Sequence, residues 1–108
     1  MRDLSLQFHD SMIDIYVKAK KECKYNAARF LQVVTEKGGV EAARTLILKD
    51  GGTDGFAKLW ELGRLDLSVE VLVLKDEYTQ LFTDHEREEC RNRLKKYNYK
   101  FFKKLVVS

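Results

Sequence analysis

The chain has 108 residues, 44% of them hydrophobic and 34% charged, with a net charge of +3. That length suits one domain able to bury its own core, and that composition excludes a disordered chain or a disulfide scaffold. No stretch approaches the ~18 apolar residues of a membrane span, so a membrane partner is not expected. The opening segment lacks the apolar core of a signal peptide, and the expectation is a cytoplasmic protein. With no proline at all, the strongest helix breaker is missing and the fold class expected is all-α. The two cysteines, Cys23 and Cys90, fall at apolar helical positions and read as buried free thiols.

From Leu4 to Lys37 there is neither glycine nor proline. Phe8, Met12, Ile15, Ala19, Cys23, Asn26, Phe30 and Val33 recur every three or four residues, the period of one helical face. A single helix of this length would span ~50 Å, whereas a domain of this size is only roughly 35 Å across. Two outcomes satisfy that conflict. Either the helix breaks near Lys24–Asn26, or it projects and pairs with a second copy. The second is the expectation: a homodimer burying Phe8, Met12 and Ile15, with Asn26 fixing the register.

Gly38-Gly39 stops this element, because glycine adopts the left-handed cap conformation without steric cost. A second helix follows over Val40–Lys49, with Ala43, Leu46 and Ile47 on its apolar side. The glycine-rich run from Asp50 to Gly55 lacks the Gly-Lys-Ser/Thr ending of a phosphate loop and the carboxylate spacing of a calcium loop, so it reads as a connector. Thr53 or Asp54 then caps a short helix bearing Phe56, Leu59 and Trp60.

Gly55–Leu74 contains the only tryptophan and the densest apolar run, which marks it as the packing centre. Leu65–Leu74 alternates like a strand but has no partner strand, and is predicted as a buried helix capped by Asp66 or Ser68. Asp76–Phe82 adds a turn or two. Thr83-Asp-His-Glu86 has the form of a capping box and opens a last helix reaching Val107. The predicted core is Phe30, Leu46, Phe56, Leu59, Trp60, Val69, Leu72, Leu81, Leu94 and Phe101. The whole is a single helical domain over residues 1–108, a bundle of five to seven helices.

The chemistry-bearing motifs are sparse. His85 and Glu89 occupy the outer positions of a zinc-protease-like spacing, but glutamate stands where the second histidine belongs. No nucleophile elbow, dinucleotide fingerprint or cysteine pair is present. No enzyme activity, metal or cofactor is expected.

Charge is unevenly spread: Arg87–Lys104 holds eight basic and two acidic residues, leaving the remainder with twelve and fifteen. Here Arg91, Arg93, Lys95, Lys96, Lys100, Lys103 and Lys104 interleave with Tyr99 and Phe102, a pattern suited to DNA or RNA phosphates with bases stacked on the rings. The same helix could instead dock on an acidic protein. Arg64, Asp66 and Glu70 form a second polar set, read as a buried ion-pair network or an anion site. The function expected is a non-enzymatic binding or regulatory module in stoichiometric contact with a larger protein or nucleoprotein complex. A nucleic-acid-binding protein is the alternative.

Several runs also carry a resemblance. They are Tyr25…Arg29-Phe30-Leu31, Gly38-Gly39…Ala42-Ala43, Gly55-Phe56…Leu59-Trp60-Glu61, Gly63-Arg64-Leu65-Asp66-Leu67-Ser68-Val69-Glu70 and Leu72-Val73-Leu74…Glu77-Tyr78…Leu81-Phe82-Thr83. In these, Tyr16–Leu94 resembles a family of small bacterial helical proteins. Asp76 departs from it, standing where that pattern has proline. The resemblance implies an all-helical fold and a setting in mobile elements or phage defence. It implies no reaction and no functional residues.

Overall fold

The computed structural model describes residues 3–49, 54–97 and 99, and for Asp54 the backbone alone. The chain is all-α: α1 (Leu4–Cys23), α2 (Ala28–Lys37), α3 (Gly39–Ile47), α4 (Asp54–Glu61), α5 (Val69–Val73) and α6 (Asp84–Lys96). Two 3-10 turns, Leu65–Leu67 and Asp76–Leu81, flank α5. Among the described residues there is no strand, so the alternation over Leu65–Leu74 resolves as a 3-10 turn and a short helix. Ser68 caps that helix by accepting from Val71 N–H at 3.3 Å. No helix of the described residues is long and apolar enough to cross a membrane.

The long first helix is broken. Its 34 predicted residues would exceed the longest dimension of the molecule, 38 Å. α1 ends where Lys24 turns to φ 56°, and the N–H groups of Lys24 and Tyr25 both donate to Ala19 O. This is a left-handed helix stop made without glycine, at a cost of roughly 1–2 kcal/mol for the non-glycine residue. Tyr16 then ties the bend down, its hydroxyl donating to Asn26 Oδ1 at 2.8 Å. α2 folds back, and Phe8 and Met12 lie fully buried within one chain. The case for a homodimer rested on Phe8, Met12 and Ile15 being stranded in water, whereas Ile15 too is partly buried against the core. It rested also on Asn26 as a register residue within a continuous helix, whereas Asn26 lies in the bend. Both premises are corrected.

α1 and α3 approach closely at one glycine. A Cβ on Gly39 would sit 2.5 Å from His9 Cα, a separation that real Cβ atoms do not reach. At the same point Gly39 N–H donates to His9 Nδ1 at 2.9 Å, which satisfies one of the orphan donors at the start of α3. Gly38, at φ 86°, is the residue between α2 and α3. The double glycine thus stops one helix and lets the next pack backbone to backbone.

The packing centre is not the tryptophan. Phe8, Tyr78 and Phe82 form an edge-to-face group with ring centroids 5.0 and 5.1 Å from Phe8. Tyr78 is buried, with its hydroxyl 2.8 Å from Ser11 Oγ. α5 is buried along its whole length, beside Ile47, Cys90 and Leu94. Phe56, Leu59, Val69 and Leu72 join this core as expected, whereas Phe30, Leu46 and Leu81 are only half-buried against it. Trp60 is 50% exposed, a correction to its expected place at the centre. Cys90 is buried and Cys23 half-buried, both free.

The last helix is also shorter than predicted. α6 opens on the capping box expected at Thr83 and Glu86 and ends at Lys96, with Tyr97 as its cap. Tyr99 N–H donates to Leu94 O at 2.9 Å, the closing bond of a helix terminus. The predicted core residue Phe101, and the predicted contacts Lys100, Phe102, Lys103 and Lys104, lie outside the described residues.

Candidate functional site

The basic set on α6 divides by which way the helix turns each side chain. Cys90 and Leu94 face the core, and Arg93, three residues from one and next to the other, lies on the flank of that buried stripe. It is only 9% exposed. Its Nη1 meets Glu70 Oε2 at 2.7 Å, and Glu70 is 4% exposed. Its Nη2 donates to Ile47 O and Lys49 O, both at 2.9 Å. One guanidinium therefore neutralises a buried carboxylate on α5 and satisfies carbonyls at the end of α3, where a helix has no partners of its own. Arg93 is a structural clamp, correcting its predicted role as a partner contact.

Two more arginines repeat the device. Arg87 Nη2 donates to Leu74 O, at the end of α5. Arg44 Nη2 donates to Leu81 O at 2.8 Å, at the end of the second 3-10 turn. Arg44 also holds Glu86 at 3.0 Å and Glu41 at 2.7 Å. Glu86 uses its other oxygen to accept from Thr83 N–H. Burial holds the Glu70 carboxyl above its usual range against the opposing hydrogen bond from Arg93. Burial pushes the Cys90 thiol up to about 12, helped by the Glu70 charge. A thiol so suppressed is a poor nucleophile.

The second polar set is arranged differently from its prediction. Arg64 grips Asp66 through two bonds, 3.0 and 3.1 Å, and reaches back to Glu22 on α1 at 2.8 Å. It has no bond to Glu70, so the expected three-residue network is corrected to Arg64–Asp66–Glu22. Arg64 is 32% exposed and both carboxylates are exposed. The hydrogen bonds to Asp66 and then Glu22 raise its pKa further above an already high value.

The predicted contacts on the far side of α6 remain outward. Lys95 and Lys96 are exposed, and Arg91 pairs with Glu88 at 2.9 Å. Tyr99 is half-buried, its hydroxyl pushed up by burial and by the Asp66 charge. Just past the two lysines, Tyr97 stands edge-on to Phe56 at 4.9 Å and to Trp60 at 5.4 Å. Trp60, half in water, and Tyr97 thus make an aromatic shoulder where α4 meets the end of α6. Among the described residues, no group of three His, Cys, Asp or Glu side chains is placed to hold a metal.

A cleft of about 630 Å³ opens beside the α1–α2 bend, between α2, α3 and the start of α4. Phe30, Val33, Leu46 and Phe56 supply apolar walls, Ser68 and Glu70 are its buried polar members, and Asn26, Arg29, Thr45 and Lys49 are exposed polar ones. Sequence reasoning missed this cleft because it exists only once the first helix bends. The clue available was the run of half-apolar positions at Phe30, Val33 and Leu46. Comparison with family models, curated proteins and solved structures returns no match.

Proposed function

We propose that the chain is a cytoplasmic binding module, making stoichiometric contact with a larger protein or nucleoprotein complex through the shoulder around Trp60. One observation carries this reading: a half-exposed tryptophan held edge-on by Tyr97. Large, pre-oriented aromatic side chains are the commonest anchors of protein interfaces, and a rigid one loses little freedom on binding. The resemblance noted in the sequence supports a setting in mobile elements or phage defence.

A second reading keeps the same shoulder and changes the partner. Lys95 and Lys96 precede Tyr97, so bases could stack on Trp60 while the lysines meet phosphates. Trp60 is the only tryptophan, and its emission reports any contact directly. Titration with arbitrary single-stranded DNA and RNA at low salt separates the two. A protein partner predicts no change in emission. Nucleic acid predicts quenching that weakens with salt by about one log-log unit per phosphate contact. For the protein reading, a complex recovered from the native host at one-to-one stoichiometry should be lost with Trp60→Ala while helicity is retained. A complex unchanged by Trp60→Ala contradicts it.

A further inference from the structure

The cleft beside the α1–α2 bend has the makings of a second, independent site. Its volume of about 630 Å³ lies within the range of small-molecule pockets, which combine apolar walls with a few placed polar groups. Phe30, Val33 and Leu46 line it while packing on the core, each only partly buried.

The charge of the cleft is one-sided. Its charged members are Arg29, Lys49 and Glu70. Glu70 is buried and held by Arg93 at 2.7 Å, so its charge is already answered. Arg29 and Lys49 are exposed, and neither meets a carboxylate among the described residues. The first turn of α2 also lines the cleft, and Ala27, at the capping position, has no side chain that could accept from its N–H groups. An occupant complementary to this lining is apolar over most of its length and anionic at one end.

We infer that the cleft between α2, α3 and α4 binds a small amphipathic carboxylate, its apolar body against Phe30, Val33, Leu46 and Phe56 and its anion at Arg29 and Lys49. The site does not depend on Trp60 meeting a partner, so either reading can fail without the other.

The test is calorimetric titration of the full-length chain with decanoate, kept below its micelle concentration, beside decanol and decyltrimethylammonium. The expected result is saturable one-to-one binding of decanoate, at least tenfold tighter than decanol, with no binding of the cation. The double variant Arg29→Gln, Lys49→Gln should weaken decanoate about tenfold and leave decanol unchanged, as loss of charge-assisted contacts requires. Ala28 lines the cleft but is exposed, so Ala28→Phe obstructs the opening without entering the core, and should weaken both ligands. The inference is overturned if decanoate fails to saturate by about 1 mM, which is also the result if an apolar peptide segment is the true occupant. Equal binding of decanoate and decanol overturns it too, as does binding indifferent to Ala28→Phe.

Discussion

Arg93 and Arg64 make the same kind of bond and do different work. Each grips a carboxylate, Glu70 in one case and Asp66 with Glu22 in the other. The first pair is sealed beneath α3, α5 and α6, and its guanidinium also holds two backbone carbonyls. The second lies at the surface, in reach of water. Water can replace a lost partner at the surface, whereas inside it cannot. Hence identical chemistry is structural in one region and nearly neutral in the other. The inner region holds the helices together, which leaves the shoulder with Trp60 available for contact.

That contrast is broken or sharpened by a graded series of substitutions, each read by denaturant unfolding. Arg93→Ala should have the largest effect, about 3–5 kcal/mol, because it leaves Glu70 buried and unpaired. Gly39→Ala comes next, at about 1–3 kcal/mol, since its methyl group meets the backbone of α1 and the helices must part. Trp60→Ala should cost only about 1–2 kcal/mol, below the ~3–5 typical of a buried aromatic, because half of the side chain is already in water. A loss as large as that of Arg93→Ala would place Trp60 in the inner region.

The pH dependence of Cys90 belongs next in size. Its folded thiol titrates near 12, against about 9 in the unfolded chain. Above pH 9 the unfolded chain therefore releases a proton that the folded one keeps, so stability falls as pH rises from 9 toward 12. The slope from this group approaches about 1.4 kcal/mol per pH unit. Cys90→Ala should flatten the profile by that amount between pH 9.5 and 11, and an unaltered slope would show that the thiol is not sealed. Arg64→Ala should have the smallest effect, below about 1 kcal/mol and shrinking with added salt.

Much of the fold was legible where local rules decide it. The capping box at Thr83 and Glu86, the stop at Gly38-Gly39 and the serine cap at Ser68 lie where the chain's own short-range chemistry put them. The bend at Lys24 was not legible as a certainty, because it uses a lysine in a conformation that normally calls for glycine. Trp60 misled because an aromatic residue in an apolar run has two faces available, and only the tertiary fold chooses between them. The presence of Glu70 within Val69–Leu74 announced that a cation had to come to it. Nearby Arg64 was the obvious candidate, but Arg93, 23 residues beyond Glu70, is the one delivered to the spot. Its flanking position beside Cys90 and Leu94 was the one available sign.

The most direct test of the inner region's role is a double-mutant cycle on Glu70 and Arg93, using Glu70→Leu, Arg93→Leu and the pair together. If the two side chains form one buried unit, each single change leaves an unmatched polar group and costs several kcal/mol. The double change then restores much of that loss, for a coupling of about 2–3 kcal/mol. Additive single effects, with no recovery in the double variant, would contradict the account and return Arg93 to the outer face of α6.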